Sequence, residues 1–199
     1  MKQGDERAAY VVWMRMGDPP RSGFVQPYAQ GFAANGAPLG KYVSLPKPMD
    51  TIGIIRTPYK TKQDCPIQPL YTSDNPAYVE VFERYADGLK DVETFSHLYL
   101  LYQFDRADAI QLVRTTFLDD TPHGIYASRH PCRPNGIGMS IVKLVRRDGN
   151  VLVVEGADML NETPLLDIKP YIPKYDAIPS ASEGWTANKQ WRQKPEGRE

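Results

Sequence analysis

From Thr51 onward the chain is a succession of short apolar segments broken by turn signals, and only one stretch reads as a good helix. That alternation constrains the fold more than any other feature. Ile52–Arg56 is a short β-branched strand that stops at Thr57-Pro58. Phe95–Phe104 is a longer strand with apolar residues at both parities, which predicts burial on both faces or a place in a barrel wall. Gly124–Ser128 reads as a further strand. Ser140–Val145 and Val151–Glu155 flank Arg146-Arg147-Asp148-Gly149-Asn150, whose Asp-Gly pair predicts a hairpin turn. The helix is expected to start at Asn75 as N-cap, with Pro76 in the first turn, and to stop at Gly88. Ala77, Tyr78, Val81, Phe82 and Tyr85 would share one face, with Glu80 and Arg84 spaced to pair. Several short strands and one helix predict a mostly β domain, either a barrel or a sandwich.

The 199 residues suffice for one principal core, and three regions are expected: an arm over 1–48, a folded domain over 49–176 and a tail over 177–199. The arm holds Pro19, Pro20, Pro27, Pro38, Pro46 and Pro48 among many glycines and has no sustained period. It reads either as a disordered leader or as a segment packing on a partner subunit through Trp13, Phe24, Tyr28 or Phe32. In the tail, Trp185 and Trp191 are expected to strap onto the body before the chain frays at Lys194–Glu199. Twenty-four basic residues balance twenty-four acidic ones, so any nucleic-acid affinity must come from a local patch. Cys65 and Cys132 are too few and too far apart for a disulfide scaffold and read as thiols of a cytoplasmic protein. Ala8–Met14 is apolar, but Asp5 and Glu6 precede it and no cleavage site follows, so no signal peptide is expected. No apolar run approaches bilayer length, and no membrane partner is expected.

Three segments carry polar residues where a core would not ask for them. In Pro66-Ile67-Gln68-Pro69 the prolines fix the backbone around an amide that can donate and accept, although a rigid turn alone would explain the pattern. Gly124–Gly138 concentrates Arg129, His130, Arg133 and Asn135 around Pro131 and Pro134, a loop able to present fixed guanidinium forks to a carboxylate or phosphate. Its glycines permit close approach of a ligand. In Glu155–Pro164, Asp158 follows strand and glycine and can accept ribose hydroxyls, while Asp167 and Lys169 beyond it are equally a structural pair. Several alternatives fail. There is no G-x-G-x-x-G after a strand and no P-loop. His97, His123, His130 and Cys132 lack zinc spacing, so no metal site is expected. Ser128, His130 and Asp158 have no nucleophile elbow to make them a triad.

Taken together, Ile52-Gly53-Ile54-Ile55-Arg56-Thr57-Pro58-Tyr59-Lys60, Phe95-Ser96-His97-Leu98, Gly124–Ser140, and Thr163-Pro164 through Asp167-Ile168-Lys169-Pro170-Tyr171 closely resemble the TsaA-like (TrmO) family. The resemblance covers about residues 50–176, and the Arg133-Pro134-Asn135 block is its most specific part. It implies a mostly β fold, a single-sheeted antiparallel β-barrel with one or two short helices, and a homodimer. It also implies a methyltransferase that uses S-adenosyl-L-methionine on N6 of threonylcarbamoyladenosine in the tRNA anticodon loop. By position, the implied cofactor contacts are Pro66, Ile67 and Gln68, Asp105 and Arg106, Arg129 and Met139, and Gly156, Ala157, Asp158 and Met159.

Four departures stand out. Ile67 replaces an arginine of many members, and Gly136 replaces the usual proline. Thr115–His123 stands where many bacterial members carry an Arg/Gly-rich insert, and the large C-terminal extension of longer members is absent. The implied chemistry is a direct in-line methyl transfer that needs alignment above all. Arg129 would hold a carboxylate, with Gln68 and Asp158 at the adenosine end. No catalytic residue is assigned. His97 is the nearest base by type, but a lone strand histidine is more often structural. A tRNA partner would need Arg106, Arg129, Arg133, Lys143, Arg146 and Arg147 gathered on one face. Two alternatives stay open, a non-catalytic S-adenosylmethionine- or nucleotide-binding regulatory barrel and a small-molecule methyltransferase.

Overall fold

The structure, a computed structural model, describes residues 28–29, 43–44, 49–69 and 75–189. The chain divides into two compact units, Met1–Met49 and Asp50–Glu199. In the first, β1 (Tyr28–Ala29) and β2 (Val43–Ser44) pair antiparallel, Tyr28 opposite Ser44. The roles expected of Trp13, Phe24, Phe32, Trp191 and Lys194–Glu199 fall outside the described residues.

The second unit holds β3 (Gly53–Arg56), β4 (Ala77–Val81), β5 (His97–Gln103), β6 (Val113–Thr115), β7 (Pro122–Gly124), β8 (Ile137–Asp148), β9 (Val151–Glu155) and β10 (Thr163–Pro170). Six of these close an antiparallel barrel in the order β10-β3-β4-β9-β8-β5, while β6 and β7 form a separate hairpin. Strand side chains alternate between faces, so the inward parity of each strand makes the core. Ile55, Val79, Leu98, Leu100, Leu152, Val154 and Leu165 are completely buried there. Bulges between Leu144 and Arg146 and between Leu165 and Asp167 interrupt the pairing of the long strands, the local bending that closure requires. The single-sheeted barrel that the family resemblance implies is what the chain builds, which decides between the barrel and the sandwich that the strand pattern left open.

Three local expectations need correction. The stretch from Asn75 is not a helix: Ala77–Val81 is β4, with Ala77, Val79 and Val81 inward and Tyr78 and Glu80 outward. Strict alternation of inward Ala and Val with polar-tipped residues is a period-2 signal, and it prevails over the Asn-Pro resemblance to a helix cap. Glu80 accordingly pairs with Arg56 on β3 at 3.1 Å, not with Arg84. Arg84 lies over the rings of Phe82 and Tyr85 instead. Only Glu83–Leu89 is helical, as a 3-10 segment.

Second, Phe95–Phe104 shortens to His97–Gln103 and lines the barrel wall. Leu98, Leu100 and Tyr102 are buried inside, and Tyr99 and Leu101 lie half-covered outside. Third, Gly124–Ser128 is not a strand. Ile125–Ala127 is a 3-10 turn, because Ile125 N donates to Leu112 O and Ser128 N turns back to Ile125 O, which buries Ile125 and leaves Tyr126 outside. The expected hairpin is present: β8 and β9 meet at Gly149-Asn150, where Gly149 has φ +62°. Among the described residues the one α-helical turn, α1, spans Pro173–Asp176. Among the described residues no helix is long and apolar enough to cross a membrane.

Gly53 sits where β3 crosses closest to β4, and a Cβ built there would fall 2.2 Å from Glu80 O. Gly53→Ala should therefore cost about 1–3 kcal/mol of unfolding free energy. Gly88→Ala, with nothing within 4 Å, should change it by less than about 0.5 kcal/mol. Urea unfolding of both variants at neutral pH checks the contrast.

Candidate functional site

Antiparallel closure brings the end of β5, the start of β8 and the β9–β10 connection to one end of the barrel. A cleft of about 1170 Å³ opens there. Its walls come from Lys62 and Cys65–Gln68, Tyr102–Asp108, Arg114–Leu118, Tyr126–Asn135, Ile137–Met139, Asp158–Leu160, Thr163, and Trp185 with Thr186. Nine of the eleven residues expected at a cofactor lie in it: Pro66, Ile67, Gln68, Asp105, Arg106, Arg129, Met139, Asp158 and Met159. Gly156 and Ala157 do not line it. Gly156 turns the chain with φ +87° and Ala157 is buried in the core, so together they orient the next two residues.

The three polar segments picked out in the sequence are joined by direct contacts. Arg129 Nη1 donates to Gln68 Oε1 at 3.4 Å, and Cys65 Sγ donates to Asp158 O at 3.2 Å. Behind Asp158 runs a buried polar chain that the sequence reading missed. Tyr102 OH donates to Ser140 Oγ at 3.0 Å, and Ser140 Oγ donates in turn to Asp158 Oδ1. Burial pushes the Asp158 carboxyl up to about 6, opposed chiefly by the Ser140 hydrogen bond. Burial, reinforced by the charge of Asp158, raises the Tyr102 phenol far above the usual tyrosine range and keeps it a neutral donor. Gly138 makes this chain possible, since a Cβ there would stand 2.2 Å from the Tyr102 ring.

The proline-braced loop is tied down by its own polar groups. Arg133 Nη1 donates to Ser128 O at 3.0 Å and to His130 O at 3.4 Å. His130 Nδ1 accepts from Cys132 N at 3.1 Å and lies 3.3 Å from Arg114 Nη1. Burial and then the Arg114 charge pull His130 down to about 4, so it is neutral at physiological pH. At the turn into β8, Gly136 takes φ +56° and its carbonyl accepts from Phe104 N at 2.7 Å. That conformation suits the glycine that replaces the usual proline, whose φ is fixed negative. Arg106 bridges Asp105 and Thr163, each at 3.2 Å.

His97 lies away from the cleft, bonded to Ser96 Oγ and edge-on to Tyr171. The six cations expected on one face are divided. Arg106, Arg129 and Arg133 line the cleft, whereas Lys143, Arg146 and Arg147 pair with Glu155, Asp148 and Glu93 farther along β8. Asp167 and Lys169 form the structural pair considered for them, at 2.7 Å. Among the described residues no group of three or more His, Cys, Asp or Glu could hold a metal ion.

Residues 54–177 match the family model of the tRNA-methyltransferase O N-terminal domain. A probable S-adenosyl-L-methionine-binding protein of Pyrococcus abyssi is 46% identical over 134 residues, which is 67% of this chain and 73% of that one. The tRNA (adenine(37)-N6)-methyltransferase of Escherichia coli is 34% identical over 146 residues, 68% of this chain and 62% of that one. A crystal structure of TrmO superposes with TM-score 0.62 at 34% identity, covering 70% of this chain and 64% of that one. The crystal structure of TrmO from Pseudomonas aeruginosa gives TM-score 0.59 at 33% identity, covering 71% and 63%. The chain thus spans a little under two thirds of the E. coli protein and of both crystallised chains.

Because the Asp158 carboxyl is raised rather than lowered on folding, its ionisation costs the folded state. The cost is nearly absent below the ordinary value of 3.8 and fully present above about 6, so it destabilises the fold as pH rises through this window. Asp158→Asn removes the titration. Its stability relative to the parent should move in the variant's favour by roughly 2–3 kcal/mol between pH 4 and pH 7. Denaturant unfolding of both proteins at the two pH values measures the difference, and parallel profiles would refute the assignment.

Proposed function

The chain belongs to the tRNA-methyltransferase O N-terminal domain family, and on that premise we propose that it binds S-adenosylmethionine in this cleft and methylates an RNA base. The observation that carries the reading is the meeting of Gln68, Arg129 and Asp158, from three distant stretches of chain, in one cleft. The donor set fits the cofactor. Arg129 has no carboxylate partner among the described residues and offers a guanidinium fork to the methionine carboxylate. Asp158 has one oxygen held by Ser140 and is a ready acceptor for ribose hydroxyls. Gln68 adds an amide for the adenine, and Met139 and Met159 supply apolar surface.

When bound, S-adenosylmethionine supplies a methyl group already activated as a sulfonium. The protein's task is alignment and exclusion of water. Arg129 donates to Gln68, so each side chain is oriented by the other before any ligand arrives. The Tyr102–Ser140–Asp158 chain holds the carboxylate in one orientation at the cleft floor.

The acceptor in this reading is N6 of threonylcarbamoyladenosine in the tRNA anticodon loop, which implies a cytoplasmic protein. The name of the E. coli relative supports a tRNA adenine. The threonyl group adds a carboxylate, and Arg114 and Arg133 line the same cleft with no carboxylate partner among the described residues. The reading includes a homodimer. On the outer face of β5 and β8, Tyr99 stands opposite Ile141 and Leu101 opposite Met139, with Ile141 39% and Met139 48% exposed. An apolar strip of this kind beside the cleft is a surface that a second copy would cover.

S-adenosylmethionine should raise the thermal midpoint without added metal. Arg129→Ala should weaken its binding by about 10- to 100-fold, the loss of a charge-assisted hydrogen bond. Arg146→Ala, whose side chain is occupied by Asp148, should bind within about twofold of the parent, the small effect expected away from a site. Equal affinities for the two variants would refute the cofactor site. Threonylcarbamoyl-modified tRNA should accept labelled methyl and unmodified tRNA should not, with the nucleoside product identified by mass. Methylation of neither, with the cofactor bound, would remove the tRNA assignment.

A further inference from the structure

The cleft is larger than its cofactor-facing residues require, and its far rim is aromatic. Pockets for a single drug-sized ligand span about 300–1,000 Å³, and this one reaches about 1170 Å³. At the rim, the 3-10 turn Ile125–Ala127 buries Ile125 and turns Tyr126 outward, 75% exposed. Tyr126 makes no hydrogen bond and no ring contact among the described residues, yet it lines the cleft.

The next residue holds a second ring in place. Ala127 O accepts from Trp185 Nε1 at 2.7 Å. His123 stacks on the indole with ring centroids 3.7 Å apart and planes within 15°. The clamp is doubled, because the half-buried His123 also bonds to Asp119 at 3.1 Å, and Asp119 holds Lys189 at 2.9 Å. The Lys189 contact, with that of His123, keeps the Asp119 carboxyl below the usual range. Trp185 thus has one face and its N–H committed, and it lines the cleft beside Thr186. It lies outside residues 54–177, the stretch matched to the family model. Beside these rings, the guanidiniums of Arg114 and Arg133 line the same cleft and make no ion pair with a carboxylate among the described residues.

We propose that Tyr126 and Trp185 form a stacking subsite for an unpaired nucleobase of the RNA acceptor, with the neighbouring guanidiniums taking its phosphates. This rests on the RNA reading above and extends it to a recognition element. A clamped indole beside an exposed phenol favours bases already splayed out of a helix, since a paired base has no free face to offer. Fixed cations beside them match the phosphates of a single strand, so the occupant is loop RNA rather than duplex.

Trp13, Trp185 and Trp191 are the three tryptophans of the chain, so W13F/W191F leaves Trp185 as the sole reporter. A synthetic anticodon stem-loop should quench its fluorescence, and a fully paired RNA of equal length and charge should not. Tyr126→Ala should weaken stem-loop binding by roughly ten- to a hundredfold, the loss of one stacked base. Its affinity for S-adenosylmethionine should stay within twofold, and Tyr126→Phe should restore stem-loop binding. Stem-loop affinity unchanged in Tyr126→Ala, with the parent binding and methylating tRNA, would overturn the subsite and leave the function standing. Cofactor affinity or dimer mass lost along with RNA binding would also overturn it, assigning Tyr126 to those roles. A parent protein that binds the cofactor but neither RNA would overturn the subsite together with the RNA reading.

Discussion

β10 closes the barrel by pairing with β3 along one side and with β5 along the other. Without that double pairing, β3 and β5 would be open sheet edges with unpaired backbone groups, and the inward side chains of six strands would have no common interior. The same closure determines where chemistry can happen. It fixes the end of β5 beside the start of β8, Tyr102 opposite Gly138, and sets Thr163 at the cleft's edge where Arg106 reaches it. The cleft residues on β5, β8 and β10 are therefore positioned by hydrogen-bond register, and the connecting loops supply the rest of its lining.

The polar chain Tyr102–Ser140–Asp158 works against this apolar interior. Two of its members occupy inward positions that hydrophobic side chains would fill at lower cost, and the carboxylate sits where burial disfavours its charge. Every member is nonetheless satisfied. Among the described residues no buried side-chain nitrogen or oxygen lacks a hydrogen-bond partner. A fully satisfied buried network fixes one arrangement of its groups. The carboxylate at the cleft floor is thus aimed before any ligand arrives, at the expense of stability the barrel supplies elsewhere.

Much of this was legible in the sequence, for identifiable reasons. Four of the six barrel strands, β3, β5, β8 and β9, are legible as apolar segments between turn residues, and the Gly149-Asn150 hairpin through its Asp-Gly pair. The loop from Arg129 to Asn135 stands out because prolines brace an unusual density of cations. Other features depend on contacts that span the chain. Tyr102 and Ser140 are each an ordinary strand residue, and 38 positions separate them. Arg114 lies in a hairpin that gives no signal of facing His130. Trp185 could be expected to strap onto the body, but not to wall the cleft, because its partner Ala127 is 58 positions away. The Asn75-Pro76 start misled because local cap chemistry imitated a helix where the ladder to β3 and β9 decides the outcome.

The strap at Gly184–Lys189 has a bearing on how such a cleft can diversify. The barrel proper ends at Pro170, yet one wall of its cleft is drawn from residues beyond it, pinned by an indole hydrogen bond, a stacked imidazole and a lysine. Replacing that segment would change one wall of the cleft while leaving the strand register, the core and the polar floor untouched.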